Sequence, residues 1–389
     1  MPWGLTGKRI ALGLAGLGLA WALIWPDVFA AVRAYPGRYV EARNLNIPLG
    51  WKEYWDKYYP GVPPPKFRRK HPSDLQIYGR RDAALKTPIR EATNGLIAEF
   101  PVGSAFDPAV ASETYTVPTW YVGKEWARRM GEAIKVRNVT QAREFAALAQ
   151  KLAAALRKHA EQSSMRFAND IDEALLSHAV NACITLGPED PLGKFARELA
   201  QGYDPRIEPS RKALDYAICG AFEGRYYAPR APLATLAERS HIVEEAIAIT
   251  QEWEKPPFKD CVHVWENLCS TEQISFLPQR FMYRQIRPSS FFKYQFREAA
   301  NIAMANASIA ALDKARGAPE YEPGGHPFSE QDPWSIAVSA EVTQEPGGIR
   351  VRWAVPDNMK LWPDEGTRAD RLNGTPELLP YPTRSKPAK

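Results

Sequence analysis

Apolar side chains recur three and four positions apart through much of the chain between residues 119 and 320, the spacing of helices with one buried face. In NVTQAREFAALAQKLAAALRKHAEQ, Phe145, Leu148, Leu152 and Leu156 form one stripe, and Asn138 or Thr140 stands where a helix cap belongs. SMRFANDIDEALLSHAVNACITLG repeats the pattern with Phe167, Ile171, Leu175, Val180 and Ile184, and Gly187-Pro188 stops it. Further helices are predicted over about 190–201, 208–222, 231–254 and 289–316. Short links between them favour antiparallel neighbours, in a helical bundle or an irregular α-solenoid without a fixed repeat.

The period changes near the end. Ile336, Val338, Ala340 and Val342 alternate with polar residues, Pro346-Gly347-Gly348 turns the chain, and Ile349, Val351, Trp353 and Val355 alternate back. That is a β-hairpin with one apolar face. A lone hairpin is marginal in water, so this one must dock on the helical body or on a partner. The fold class is therefore mainly α, with a β-hairpin within 321–365. Residues 366–389, polar and Pro-rich, are expected to be mobile or to order on a neighbour.

Residues 36–118 fit neither pattern. Pro, Gly and short apolar runs such as GLIAEFPV and ETYTVPTWYV predict an extended wrapping segment with one or two short strands. Within it, Trp51, Tyr54, Trp55 and Tyr58 share one helical face opposite Lys52, Glu53, Asp56 and Lys57. Such a face suits a membrane surface, with the basic run Lys66–His71 beside anionic headgroups, or it packs on the protein's own body.

At the N-terminus, Ile10–Trp25 carries no charge and follows Lys8 and Arg9. Extended towards Val32, the run reaches the roughly 20 residues that span a bilayer. Val28–Ala30 after Pro26 could be a signal-peptide cleavage site. Against cleavage, Trp21, Trp25 and Phe29 would sit at the far headgroup layer, and Ala11/Ala15 and Gly16/Ala20 would let another helix approach closely. Residues 1–35 are thus expected to form a retained single-pass anchor, its positive end cytoplasmic and the rest exported. In a bacterium this is an inner-membrane protein with its bulk in the periplasm.

Composition narrows the choices. With a net charge of +5 over 389 residues and opposite charges interspersed, a nucleic-acid partner is not expected. Four cysteines occur, with no C-x-x-C. In an oxidising compartment Cys261 and Cys269 could close a small loop worth about 2–3 kcal/mol, and Cys183 and Cys219 could pair across the bundle or stay buried thiols. Glu238 and His241 have the E-x-x-H spacing of carboxylate-bundle metal sites, with Glu245 a turn further, but no second E-x-x-H completes the set. No nucleophile elbow, H-E-x-x-H or phosphate-binding fingerprint is present, and no cofactor is expected.

From Phe291 onward, a helix, the DPWS step at Asp332–Ser335 and a hairpin closing on VRWAVPDN at Val351–Asn358 resemble the C-terminal layout of type II secretion pseudopilins. The ending is similar also to uncharacterised anchored proteins of environmental bacteria that carry helical hairpins. The resemblance implies an exported bacterial protein. The pseudopilin processing Gly and Glu are absent, and the acidic end is reduced to Asp357, Asp364 and Glu365. The function expected from the whole reading is an anchored accessory or scaffold subunit working with other membrane-protein subunits, without catalysis. The alternatives are a periplasmic metal-binding or hydrolytic helical protein and a secretion- or pilus-associated protein.

Overall fold

The computed structural model describes residues 13, 16, 30–61, 74–99, 116–158, 162–204, 211–223, 232–253, 290–319, 321–322, 338–354 and 376–380. They fall into two compact units. The first draws on Met1–Tyr58 and Leu214–Lys255, and the second on Tyr59–Ala213 and Ser290–Lys389. The single helical domain expected over 119–320 is therefore divided, because the helices just after residue 213 pack with the N-terminal helices.

In the first unit, α1 (residues 30–44) ends at Asn46, whose φ of 54° is left-handed. The chain turns into α2 (Trp51–Tyr58), which lies with α9 (Arg211–Glu223, shared with the second unit's boundary) and α10 (Pro232–Trp253). Trp51, Tyr54 and Trp55 are buried here. The Tyr216 ring stands 4.8 Å from Trp51 and 5.7 Å from Tyr54, both edge-on, a geometry that aromatic quadrupoles favour. Of the two settings expected for the aromatic face, membrane surface or the protein's own body, Trp51, Tyr54 and Trp55 take the second and form this unit's core.

The second unit is built on α5 (Val117–Lys135), α6 (Val139–Lys158) and α7 (Gln162–Thr185), which pack on one another. α3 (Asp74–Lys86) and α4 (Ile89–Glu99) lie against α5 and α6, while α8 (Pro191–Gln201) and α11 (Ser290–Ala315) cover α7. The predicted stripes are core: Leu148, Leu152, Leu156, Ile171, Leu175, Val180 and Ile184 are all buried. The α5–α6 link is short because one residue serves both ends. Arg137 adopts φ 59°, the Asn138 N–H closes a 2.8 Å bond to the Ala133 carbonyl, and Asn138 Oδ1 then accepts from Gln141 N at 3.1 Å.

Gly123, Ala127 and Gly131 form a low ridge on α5. A Cβ at Gly123 would fall 2.3 Å from Ile171 Cδ1, and one at Gly131 would fall 2.6 Å from the His178 ring. The ridge is what lets α7 approach so closely.

The extended segment expected over 36–118 is helical wherever it is described, in α1 to α4 and the start of α5. Two of its prolines, Pro88 and Pro118, stand at helix starts. The Pro88 carbonyl accepts from Ala92 N, and Pro118 lies in the first turn of α5, where a missing N–H leaves no bond unmade. The described parts of GLIAEFPV and ETYTVPTWYV are the end of α4 and the start of α5.

The hairpin forms as predicted, β1 (Ser339–Glu345) antiparallel to β2 (Gly348–Ala354), with Gly347 supplying φ 98° in the turn. Ala340 faces Trp353 and Val342 faces Val351, so their side chains share one side of the sheet. That side docks on α11: the Trp353 indole donates to Ser308 Oγ at 2.9 Å, and the Ser308 hydroxyl donates to the Met304 carbonyl at 2.7 Å. The tail expected to be mobile adds a third strand, β3 (Glu377–Pro380), antiparallel to β2. Its backbone runs so close that a Cβ at Gly348 would meet the Leu379 carbonyl oxygen at 2.3 Å.

Candidate functional site

The first unit concentrates its polar contacts at Asp215, which is fully buried on α9. Lys57 Nζ donates to Asp215 Oδ2 at 2.7 Å, and the Tyr58 hydroxyl donates to the same oxygen at 2.6 Å. Lys57 also donates to the Asn46 carbonyl at 2.7 Å, and the Cys219 thiol donates to the Pro48 carbonyl at 3.1 Å. An ammonium and a phenol thus clamp one carboxylate, fixing α2 and the loop before it to α9. Tyr58 is a structural donor within the unit, where a membrane or partner contact was expected.

Arg38 on α1 donates to Ser240 Oγ on α10 at 3.0 Å and pairs with Glu244 at 2.7 Å. His241 Nδ1 lies 3.5 Å from the other oxygen of Glu244, so the predicted metal ligand turns to a carboxylate already engaged by Arg38. Glu245 is half-buried, and the Glu238 side chain lies outside the described residues. Among the described residues no group of three metal-type ligands comes together.

The second unit carries two further ionic clusters. Arg157 on α6 binds Asp172 on α7 and Glu298 on α11, and the Tyr203 hydroxyl donates to the free oxygen of Asp172 at 2.8 Å. Burial, followed by the neighbouring Asp172, pushes the Tyr203 phenol well above its ordinary pKa. Arg197 on α8 holds Asp313 on α11 through two nitrogens, Nε at 2.8 Å, and its Nη1 donates to the Gly193 carbonyl at 2.8 Å. Arg316 donates to the carbonyls of Cys183, at 2.6 Å, and Ile184, last-turn acceptors that helix α7 cannot satisfy itself. Chemically these arrangements hold charge in place: each buried acid is gripped by a base from another helix.

Cys183, in the second unit, and Cys219, in the first, are both buried thiols, one of the two states expected for them. Burial pushes the Cys183 thiol up to about 12, which removes it as a nucleophile. Cys261 and Cys269 lie outside the described residues, as do Trp21, Trp25 and Ala20. Gly16 is helical and exposed. No helix among the described residues is long and apolar enough to cross a membrane; the Ile10–Trp25 run is outside them apart from Gly13 and Gly16.

Sequence reasoning did not single out Asp215, Lys57, Arg157, Arg197 or Asp313. The available signal was a lone charge on an apolar stripe, as in ALDYAICGA and IAALDKARG. No protein-family model, curated protein or solved structure matches this chain.

Proposed function

We propose that this chain is a membrane-anchored, exported accessory or scaffold subunit of a membrane-protein complex, with its bulk in the bacterial periplasm. The anchor rests on the sequence, where Lys8 and Arg9 precede the uncharged run Ile10–Trp25. Gly16 and Ala20, small residues four apart in the sequence, would leave room there for a partner helix. The observation that carries the binding role is the commitment of buried charge. Asp215, Asp172 and Asp313 are each tied to a cation from a different helix, which serves rigidity rather than proton transfer.

The test is alkaline extraction of membranes, protease accessibility in spheroplasts, and native purification in mild detergent. The reading expects the chain in the membrane pellet, cleavable from the periplasmic side, and eluting with another membrane protein at fixed stoichiometry. A mature chain beginning at Ala31 that runs alone, soluble and monomeric, overturns it. Stoichiometric metal lost in His241→Ala would replace it with a metal-dependent role.

A further inference from the structure

Where α5 and α7 cross, Gly131 faces His178. A Cβ at residue 131 would stand 2.6 Å from Cε1 and Nδ1 of the imidazole and 2.9 Å from Nε2. The ring therefore lies flat on the glycine, in space that only the missing side chain provides. It is half-buried. Its neighbours one turn away on α7, Ala174, Leu175, Asn181 and Ala182, carry no charge.

Across the crossing, α5 presents Lys135, whose charge opposes protonation of the imidazole. Glu132, next to Gly131, is turned to Arg128. α6, α8 and α11 also pack on α7, and among the described residues none of their charged groups acts on the ring.

We propose that His178 is an acid-sensitive catch on the α5–α7 crossing, closed while the imidazole is neutral and loosened when a proton arrives. Protonation puts a charge that Lys135 repels on a ring packed against the Gly131 backbone, and parting of the two helices gives that charge water. Burial first, and Lys135 second, hold the ring's pKa below its ordinary value of 6.5. The open form therefore takes up the proton more readily than the closed form. The catch contributes fully above about pH 6.5 and is lost as the pH falls through the lower pKa of the closed form. Each unit of separation between the two pKa values multiplies the opening equilibrium about tenfold. The proposal stands apart from the scaffold reading and makes the second unit softer in acid whatever its partner.

The test is hydrogen exchange by mass spectrometry on the full chain in detergent, at pH 7.5 and 5.5, corrected for intrinsic exchange. In the natural chain, peptides from α5 and α7 should open several-fold more at pH 5.5, about fivefold for a one-unit separation. His178→Gln should abolish that response and Lys135→Met should shrink it. An unchanged response in His178→Gln, or none in the natural chain, overturns the proposal. If His178→Gln does not fold, Lys135→Met decides alone: a response equal to that of the natural chain overturns it.

Discussion

Replacing Arg197 by Leu should remove more stability than its place on a short helix would indicate. The guanidinium is almost wholly buried, 8% exposed, and its partner Asp313 is 2% exposed. Arg197 gives Asp313 two hydrogen bonds and also serves the Gly193 carbonyl. Taking away one member of such a pair leaves an uncompensated buried charge, a loss of about 3–5 kcal/mol. A domain's whole stability is about 5–15 kcal/mol, so the effect should dominate a urea titration followed by far-UV circular dichroism. The double variant Arg197→Leu, Asp313→Leu removes both charges, and the Leu186 carbonyl keeps Arg316 as a donor at 3.3 Å. It should regain most of the loss, leaving the double variant about 2–3 kcal/mol more stable than Arg197→Leu alone. Arg143–Glu198, with both side chains largely exposed, is the control; Arg143→Ala should cost under about 1 kcal/mol. A single Arg197→Leu variant within about 1 kcal/mol of the natural chain, or a double variant no better than the single, would refute the reasoning.

Two glycine variants should behave oppositely. At Gly193 an added Cβ meets the Gly187 carbonyl oxygen at 2.1 Å, so the backbone must shift, and Gly193→Ala should lower the urea midpoint by about 1–3 kcal/mol equivalent. At Gly123 the obstacle is the flexible end of Ile171, and the roughly 1 kcal/mol helix propensity of Ala offsets much of the clash, so Gly123→Ala should lie much nearer neutral. Thr93→Val deprives the buried Trp126 indole of its 3.0 Å acceptor and should cost about 1–3 kcal/mol by the same titration. Cys183, buried with its pKa near 12, should resist maleimide at pH 8 in the folded chain and react after urea unfolding, as read peptide by peptide. Rapid labelling of the folded chain would contradict that.

Periodicity carried most of the helical architecture. Leu148, Leu152 and Leu156 on α6, and Ile171, Leu175 and Ile184 on α7, are buried as their spacing requires, because a stripe is a local property of the chain. The hairpin was legible for the same reason, with Val342 opposite Val351. Proline misled where its position mattered more than its presence: Pro88 and Pro118 stand at helix starts, and composition alone does not distinguish start from stop. Strand β3 has only four residues and one side chain, Leu379, against the core, too little to show a period. The clamp on Asp215 was invisible because Lys57 lies 158 positions away, and nothing in spacing joins residues so far apart. Site residues therefore emerged only with the tertiary arrangement.

The helix interfaces also explain why buried charge is useful here. α6 buries Ala142, Ala146, Ala149, Ala153 and Ala155, and α11 buries Ala299, Ala300, Ala303 and Ala305. Alanine faces pack closely but are smooth, so several registers would bury similar apolar area. Arg157 discriminates among them, since only one register brings it to both Asp172 and Glu298, and an unpaired charge in any other would be costly. Gly131 and Gly123 act similarly on α5, because their gaps accept His178 and Ile171 only in one alignment. The polar contacts thus specify which helix meets which, while the apolar stripes supply most of the driving force.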